Sequence, residues 1–240
     1  CYTKEAGVRE LSRMLSKILR KIVKKMLIEN NEALVTVDKD LVEEYLGKKI
    51  YPFYYQKENL QVGVVNGLAY TPFGGDVLKI ETTYYRGKGN LILTGSLGEV
   101  IKESASIALS YIKANYKKFN VSESIFSSDI HIHLPEGAVN KEGPSAGIAL
   151  TTSIISAFSN KKISSKIAMT GEITLQGDIL AIGGVREKVL GAYRAGVRTV
   201  YLPKDNERDL EEIPNEIRDK IKFRLASNYN EVVKSIFIDC

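Results

Sequence analysis

The sequence predicts a mixed α/β protein in two parts, a small helical unit followed by a larger domain of strands and helices. The chain has 240 residues, of which 44% are hydrophobic and 26% are charged. This composition is enough for one good core and a smaller second one. Helical periodicity dominates the opening, whereas strand-like and helix-like runs alternate after residue 60. We therefore expect a helical unit over 1–47, a linker over 48–60 and a larger domain over 61–240.

The first unit is predicted to contain a long amphipathic helix. Its apolar residues follow the i, i+3, i+4 spacing, namely Leu11, Leu15, Ile18, Ile22 and Met26. Basic residues occupy the remaining faces, and we interpret them as solvated. A short strand over 34–37 should follow, and then a helix that is capped by Asp38 or Asp40 and ends at Gly47.

The larger domain is predicted to mix strands and helices in an α+β or mixed α/β arrangement. Its first expected elements are a hairpin over 62–70 that turns at Asn66-Gly67 and a second hairpin over 77–93 that turns at 87–89. A helix over 97–116, capped by Ser96, should follow. The later elements are a strand over 129–134, a helix over 145–158, a strand near 167 and a helix over 185–195.

Charge, hydropathy and cysteine content bear on whether the chain binds nucleic acid, associates with a membrane or contains disulfides. The net charge of +5 gives a weak tendency to bind DNA, but no nucleic-acid recognition motif accompanies it. No apolar run approaches the roughly 20 residues that cross a bilayer, and no signal sequence opens the chain, so we expect no membrane partner. Cys1 and Cys240 give no disulfide framework, which fits a cytosol-like compartment. Because no initiating Met is present, we expect a piece of a longer protein.

Ser145 is the candidate nucleophile. It lies in Gly143-Pro144-Ser145-Ala146-Gly147, between a strand-like run and an apolar helix. Unpaired backbone N–H groups collect at a helix N-terminus, and they can stabilise an oxyanion there. The alternative is ordinary turn and N-cap chemistry, since serine is a favoured N-cap residue.

Lys188 is the candidate base, in Gly183-Gly184-Val185-Arg186-Glu187-Lys188. A lysine near a helix N-terminus and inside the protein has a lowered pKa, which a lysine base requires. The alternative is a solvated lysine paired with Glu187 or another surface acid.

The two histidines, His131 and His133, alternate along one predicted strand and therefore share one face of it. This arrangement invites a metal or triad hypothesis. No third ligand with matching spacing is evident, so we expect no metal site and interpret the pair as packing beside the candidate site.

Six separated runs of the larger domain resemble the proteolytic domain of the Lon family of ATP-dependent proteases. The resemblance extends from about Val62 to Val233, in the family's order, and its runs are 62–71, 94–100, 131–137, 143–147, 168–175 and 182–188. It implies a serine endopeptidase with Ser145 as nucleophile and Lys188 as base. Thr170 matches a hydrogen-bond partner of the lysine. Glu142 replaces an aspartate of the family, and Arg186 replaces a lysine, so Glu142 is a supporting candidate only.

The opening run, 2–9, resembles the end of the small helical subdomain of the family's ATPase module. Arg9 matches a nucleotide-sensing arginine there. No Gly-x-x-x-x-Gly-Lys-[Ser/Thr] phosphate loop occurs in the 240 residues, so we expect no cofactor in this chain, and ATP and Mg²⁺ in the full-length enzyme.

The same resemblance implies the assembly and the partners of the full-length enzyme. It implies a hexamer acting on unfolded or damaged proteins. The location would be the bacterial cytoplasm, with the mitochondrial matrix as the alternative. The competing hypothesis is a non-catalytic scaffold of this family that binds partners or nucleic acid.

Overall fold

The computed structural model describes residues 2–3, 5, 7–30, 33–50, 59–135 and 141–237. The chain forms two compact units, Cys1–Tyr54 and Tyr55–Cys240. The predicted mixed α/β class is confirmed. Most of the predicted linker, residues 51–58, lies outside the described residues. Within the described ranges, no helix combines the length and the apolar character that crossing a bilayer requires.

The first unit contains two helices in its described part, α1 (Arg9–Glu29) and α2 (Lys39–Leu46). The helical spacing of α1 brings Ile18 and Ile22 to one face, where they are buried together with Tyr45 of α2. The predicted long amphipathic helix is therefore confirmed, and α2 covers part of its apolar surface.

The predicted strand over 34–37 is wrong. The segment has no regular secondary structure, and Leu34 is 97% exposed. An extended apolar run becomes a strand only where another strand supplies hydrogen-bond partners, and the described elements of this unit are helices. The next helix begins as predicted, because the Asp38 carboxylate accepts a hydrogen bond from the Leu41 N–H at 2.8 Å. It ends at Gly47, where φ is +87°.

The second unit alternates strands and helices. Its strands are β1 (Leu60–Val62), β2 (Val64–Thr71), β3 (Gly74–Arg86), β4 (Leu91–Thr94), β5 (Ser128–His133), β6 (Lys162–Ser164), β7 (Ile167–Met169), β8 (Glu172–Ile173), β9 (Ile179–Leu180), β10 (Thr199–Pro203) and β11 (Lys222–Ala226). Its helices are α3 (Glu99–Ala114), α4 (Gly147–Ser159), α5 (Val185–Arg194), α6 (Asn215–Arg218) and α7 (Tyr229–Ile236). Within its described residues, 3₁₀ segments cover Glu123–Phe126, Pro144–Ala146 and Lys204–Glu212.

The described strands form a mixed seven-stranded sheet in the order β11-β10-β7-β2-β3-β5-β4. Strands β11, β10, β7 and β2 pair in parallel, as do β5 and β4. The central β2-β3 and β3-β5 pairs are antiparallel. Two further pairs, β1-β6 and β8-β9, lie outside this sheet.

The two predicted hairpins are wrong in their turns or pairing. Asn66-Gly67 lies inside β2, because the Asn66 carboxamide donates to the carbonyls of Ser165 and Ile167 at 2.8 and 3.1 Å instead of forming a turn. The chain reverses later, between Thr71 and Gly74. The second hairpin fails because β5, which comes much later in the chain, pairs between β3 and β4. Local turn residues therefore did not determine the pairing partners.

Two apolar clusters cover opposite faces of the sheet. Side chains alternate between faces along a strand, so the neighbours Ala168 and Met169 belong to different clusters. Helices α3, α4 and α7 contribute to the cluster of Met169, whereas α5 contributes to that of Ala168. Helices α4 and α5 thus lie in different layers, and side chains from both can meet only beyond the ends of the strands.

Candidate active site

Ser145 lies at the N-terminal approach to α4, as predicted. It occupies the middle of the 3₁₀ turn Pro144–Ala146, which continues directly into α4 at Gly147. The preceding Gly143 has φ +112° and ψ +154°, a backbone conformation that only glycine adopts without strain. Ser145 is half-buried, so its hydroxyl lies at the boundary between the core and solvent.

Lys188 is buried in the first turns of α5, with only 4% of its surface exposed. The helix begins after Gly184, whose φ is +68°. Burial lowers the pKa of Lys188 from 10.5 to about 8, because the charged amine loses its hydration. The interpretation of Lys188 as a solvated surface lysine is therefore wrong. Part of the lysine population is neutral near pH 8, as a general base requires.

Thr170 connects the lysine to the serine. The Lys188 amine donates to the Thr170 hydroxyl at 3.3 Å, and this hydroxyl donates to the backbone carbonyl of Ser145 at 3.1 Å. The Gly171 N–H donates to the same carbonyl at 2.8 Å. Among the hydrogen bonds of the described residues, none joins the Ser145 hydroxyl directly to the lysine amine. Because the threonine partner is neutral, it orients the amine without stabilising the ammonium as a carboxylate would.

The three residues meet at the carboxyl end of β7. Thr170 follows the last residue of β7, and its N–H donates to the Tyr201 carbonyl of β10 at 3.1 Å. Helix α4 approaches this strand end from one layer, and α5 approaches it from the other. The carboxyl ends of parallel strands are a common position for binding sites in α/β sheets.

Glu142 caps a neighbouring helix. Its carboxylate accepts a hydrogen bond from the Val100 N–H at 3.0 Å, in the first turn of α3. Ser96, the predicted cap of this helix, is not the cap: it has φ +58°, and Gly98 occupies the N-cap position. A side chain at Gly98 would overlap the Glu142 carboxylate, so glycine leaves room for this long-range cap. The contact ties the residues before Ser145 to α3, and a catalytic contribution of Glu142 stays a prediction.

The two histidines share one hydroxyl. His131 Nε2 lies 3.0 Å and His133 Nδ1 lies 2.7 Å from the Thr94 hydroxyl. The histidines are in β5, and Thr94 is in the adjacent edge strand β4. Within the described part of the chain, no group of three or more His, Cys, Asp or Glu side chains is arranged to hold a metal ion. The contacts of this pair are structural ones between neighbouring strands.

Arg9 is the first residue of α1 and is exposed. The Glu5 carboxylate caps the same helix end, since it accepts from the Glu10 and Leu11 N–H groups at 2.8 Å each. Nothing in the first unit tests the predicted nucleotide-sensing role of Arg9, which stays a prediction.

Comparison with known proteins places this site in a family. Residues 36–239 match the model of the Lon protease (S16) C-terminal proteolytic domain, and residues 1–35 match that of the Lon protease AAA+ ATPase lid domain. The chain belongs to the Lon protease family. The predicted resemblance is therefore confirmed.

Named Lon proteases align with nearly the whole chain. The one from Mycoplasma mycoides subsp. mycoides is 53% identical over 98% of this chain, and the one from Aster yellows witches'-broom phytoplasma is 50% identical over 99%. Lon protease 1 of Bacillus subtilis is 47% identical over 99%. The chain covers only 30%, 30% and 31% of these three relatives, so it spans less than a third of their length.

The sequence analysis did not identify a pair of glycines that allow α5 to pack closely on β3 in this Lon-family domain. An added Cβ on Gly75 of β3 would overlap the Glu187 carbonyl oxygen and lie 2.8 Å from the Lys188 nitrogen. A Cβ on Gly191 would in turn overlap the backbone of Gly75. Helix α5 therefore packs directly on the backbone of β3. The Gly74-Gly75 pair was visible in the sequence, but nothing there identified its partner helix.

Replacing Lys188 by methionine should raise the free energy of unfolding at pH 7 by up to about 3 kcal/mol. The folded-state pKa of about 8 lies below the ordinary 10.5, and each pKa unit corresponds to about 1.36 kcal/mol. Between these two values the unfolded chain binds more protons than the folded one, so wild-type stability increases with pH. The gain in the variant should be complete below about pH 8 and shrink as the pH rises toward 10.5.

Urea unfolding of both proteins at pH 7 and pH 10 measures this effect. Lys222→Met, at an exposed lysine, is the control and should change the free energy by less than about 0.5 kcal/mol. A Lys188→Met gain that is absent at pH 7, or that is equally large at pH 10, would show that burial of the charged Lys188 amine does not lower the stability of the wild type.

Proposed function

We propose that this chain hydrolyses peptide bonds by acyl transfer, with Ser145 as nucleophile and Lys188 as general base. The observation that carries the proposal is the buried amine of Lys188. Desolvation lowers the pKa of this amine, and hydrogen bonds through Thr170 connect it to the backbone of Ser145. A lysine with this environment has a neutral fraction at working pH, and a serine needs such a base to become a nucleophile.

In the first half-reaction, the Ser145 oxygen attacks the peptide carbonyl as its proton passes to the neutral Lys188 amine. Backbone N–H groups of the turn around Ser145 stabilise the tetrahedral oxyanion. The lysine ammonium then protonates the leaving amine as the peptide C–N bond breaks, which leaves an ester on Ser145. Lys188 is neutral again at this point and ready for the second step.

In the second half-reaction, water attacks the ester while Lys188 takes a proton from it. Collapse of the second tetrahedral intermediate releases the carboxylic acid, and the proton returns to the Ser145 oxygen. Thr170 supports both steps in this proposal, because it accepts one N–H of the amine and leaves the nitrogen lone pair for Ser145 or water.

In this proposal the longer protein also contains an ATPase module. A match to the AAA+ ATPase lid model over residues 1–35 supports an ATP-dependent assembly, which we take to be a hexamer. ATP and Mg²⁺ would supply the energy to unfold damaged proteins before cleavage. The 240 residues contain no phosphate-loop sequence. The proposed hydrolysis is carried out by groups of this chain and by water. We expect this chain by itself to cleave unstructured peptides slowly and to spare folded proteins.

Trapping the acyl-enzyme tests the proposal. The chain is mixed with an activated peptide ester, quenched in acid and digested with trypsin, and the masses of its peptides are measured. The acyl mass should appear on the peptide over residues 142–161, which contains Ser145, and should be absent from Ser145→Ala. An acyl group on any other residue, or equal labelling of Ser145→Ala, would refute Ser145 as the nucleophile.

A further inference from the structure

One buried side chain holds the segment that leads into α5. Asn206, which is 5% exposed, accepts a hydrogen bond from the Ile182 N–H at 3.0 Å and donates to the Ile182 carbonyl at 2.9 Å. Its amide also donates to the Asp209 carboxylate at 2.6 Å. The carboxamide thus pairs with both backbone groups of one residue, as a neighbouring strand would.

Ile182 needs such an anchor because two glycines separate it from α5. Gly183 has no atom near the position of a Cβ, and Gly184 has φ +68°. Glycines have wide conformational freedom, so this pair does not fix the direction in which α5 begins. Fixing Ile182 fixes the point from which Gly183-Gly184 leads to Lys188, six residues further along.

The strand that precedes Asn206 also positions Thr170. Strand β10 accepts the Thr170 N–H on its Tyr201 carbonyl, and Asn206 follows β10 in the 3₁₀ segment Lys204–Glu212. One short stretch of chain therefore holds both the strand end that bears Thr170 and the segment that leads to Lys188. A displacement of Ile182 relative to β10 would change the separation between the lysine amine and the threonine hydroxyl.

We propose that Asn206 is a positioning residue for the hydrolytic site, acting through Ile182 to place Lys188 against Thr170. This inference rests on the proposed function, but it also makes a statement about the environment of Lys188 that does not require activity. Removing the carboxamide frees Ile182 and lets the start of α5 move outward. Lys188 should then become more hydrated, and its contact with Thr170 should lengthen.

Two variants separate this role from simple packing. Asn206→Ala removes the carboxamide and its volume, and Asn206→Leu removes the hydrogen bonds while keeping a branched side chain of similar size. Asn66→Ala is the matched control, because Asn66 is also a buried asparagine, 4% exposed, whose amide donates to two backbone carbonyls. Asn66 lies in β2, and its two hydrogen-bond partners, Ser165 and Ile167, lie outside the segment that leads into α5.

Two measurements are made on each variant. Steady-state hydrolysis of an unstructured fluorogenic peptide gives kcat and KM. NMR of the chain labelled with ¹³C at the lysine ε-carbon gives the titration midpoint of Lys188, whose signal is assigned by its absence from Lys188→Met. The second measurement reads the environment of Lys188 whether or not the chain is active, so failure of the proposed function and failure of this inference are distinguishable.

For both Asn206 variants we expect kcat to fall at least tenfold with KM within threefold of wild type, since a small misplacement of a catalytic group costs rate more than binding. The Lys188 midpoint should rise by at least half a pH unit. Asn66→Ala should leave kcat and the midpoint unchanged. A Lys188 midpoint equal to that of wild type in folded Asn206→Ala or Asn206→Leu would overturn the proposal. So would unfolding of both, which would show a general structural role.

Discussion

Replacing Ser145 by alanine should lower the rate of peptide hydrolysis by a factor of about 10⁴ or more. Alanine removes the oxygen that forms the acyl-enzyme in the proposed mechanism. It should leave the fold intact, since Ser145 is half-buried and its carbonyl makes the structural hydrogen bonds. Lys188→Ala should lose a similar factor, because a nucleophile and its base act as a unit and their effects do not add. Initial rates with a fluorogenic unstructured peptide measure both losses.

Two further variants make this test specific. Lys188→Arg keeps a long cationic side chain, but an arginine does not deprotonate in proteins, so it should be as inactive as Lys188→Ala if Lys188 acts as a base. Ser159→Ala, at the other end of α4, removes a hydroxyl whose one hydrogen bond within the described part of the chain is to the Ile155 carbonyl, and should leave the rate within about twofold. Substantial activity in Ser145→Ala or Lys188→Arg would rule out the proposed mechanism.

Gly75→Ala should lower activity at least 100-fold, destabilise the second unit by about 1–3 kcal/mol, or do both. The new Cβ would overlap the Glu187 carbonyl oxygen and lie 2.8 Å from the Lys188 nitrogen, and these are backbone atoms that cannot rotate away. Either α5 moves off β3 and carries Lys188 with it, or the strain is kept and appears as lost stability. A misplacement of about 1 Å is enough to cost 100-fold in rate.

Gly67→Ala is the matched control for this substitution. It adds the same methyl group to the neighbouring strand β2, where the nearest atom, the Leu78 carbonyl oxygen, lies 3.4 Å away. Thermal melting and the peptide assay should show that Gly67→Ala changes both quantities much less than Gly75→Ala. Equal behaviour of the two variants would mean that the close packing of α5 on β3 has no special role in placing Lys188.

The sequence was most informative where a signal is local. The periodicity of α1 and the Asp38 and Gly47 ends of α2 depend on neighbours within a few residues, and these predictions are confirmed. The same holds for the position of Ser145 before α4. Burial of Lys188 was expected only as a requirement of its chemistry, and the structure supplies its cause in the packing of α5 on the sheet.

Long-range contacts escaped the sequence. Pairing of β5 between β3 and β4 joins segments about 40 to 50 residues apart, which no turn signal encodes. The cap of α3 comes from Glu142 and not from the nearby Ser96. The close contact of Gly75 with α5 and the hold of Asn206 on Ile182 likewise join distant residues. These contacts position the residues of the candidate site. A single sequence contains no pattern that shows which distant residues contact each other.

The pH dependence of kcat/KM for a fluorogenic unstructured peptide tests the Ser145–Lys188 proposal most directly. This ratio reports the ionisation of the free enzyme, and the active form requires neutral Lys188. With the pKa of Lys188 at about 8, kcat/KM should rise about tenfold per pH unit at acidic pH and level off above about pH 8. The midpoint should coincide with the ¹³C titration of Lys188. A midpoint near 6.5, the ordinary range of an imidazole, or a flat profile through pH 8, would contradict lysine as the base.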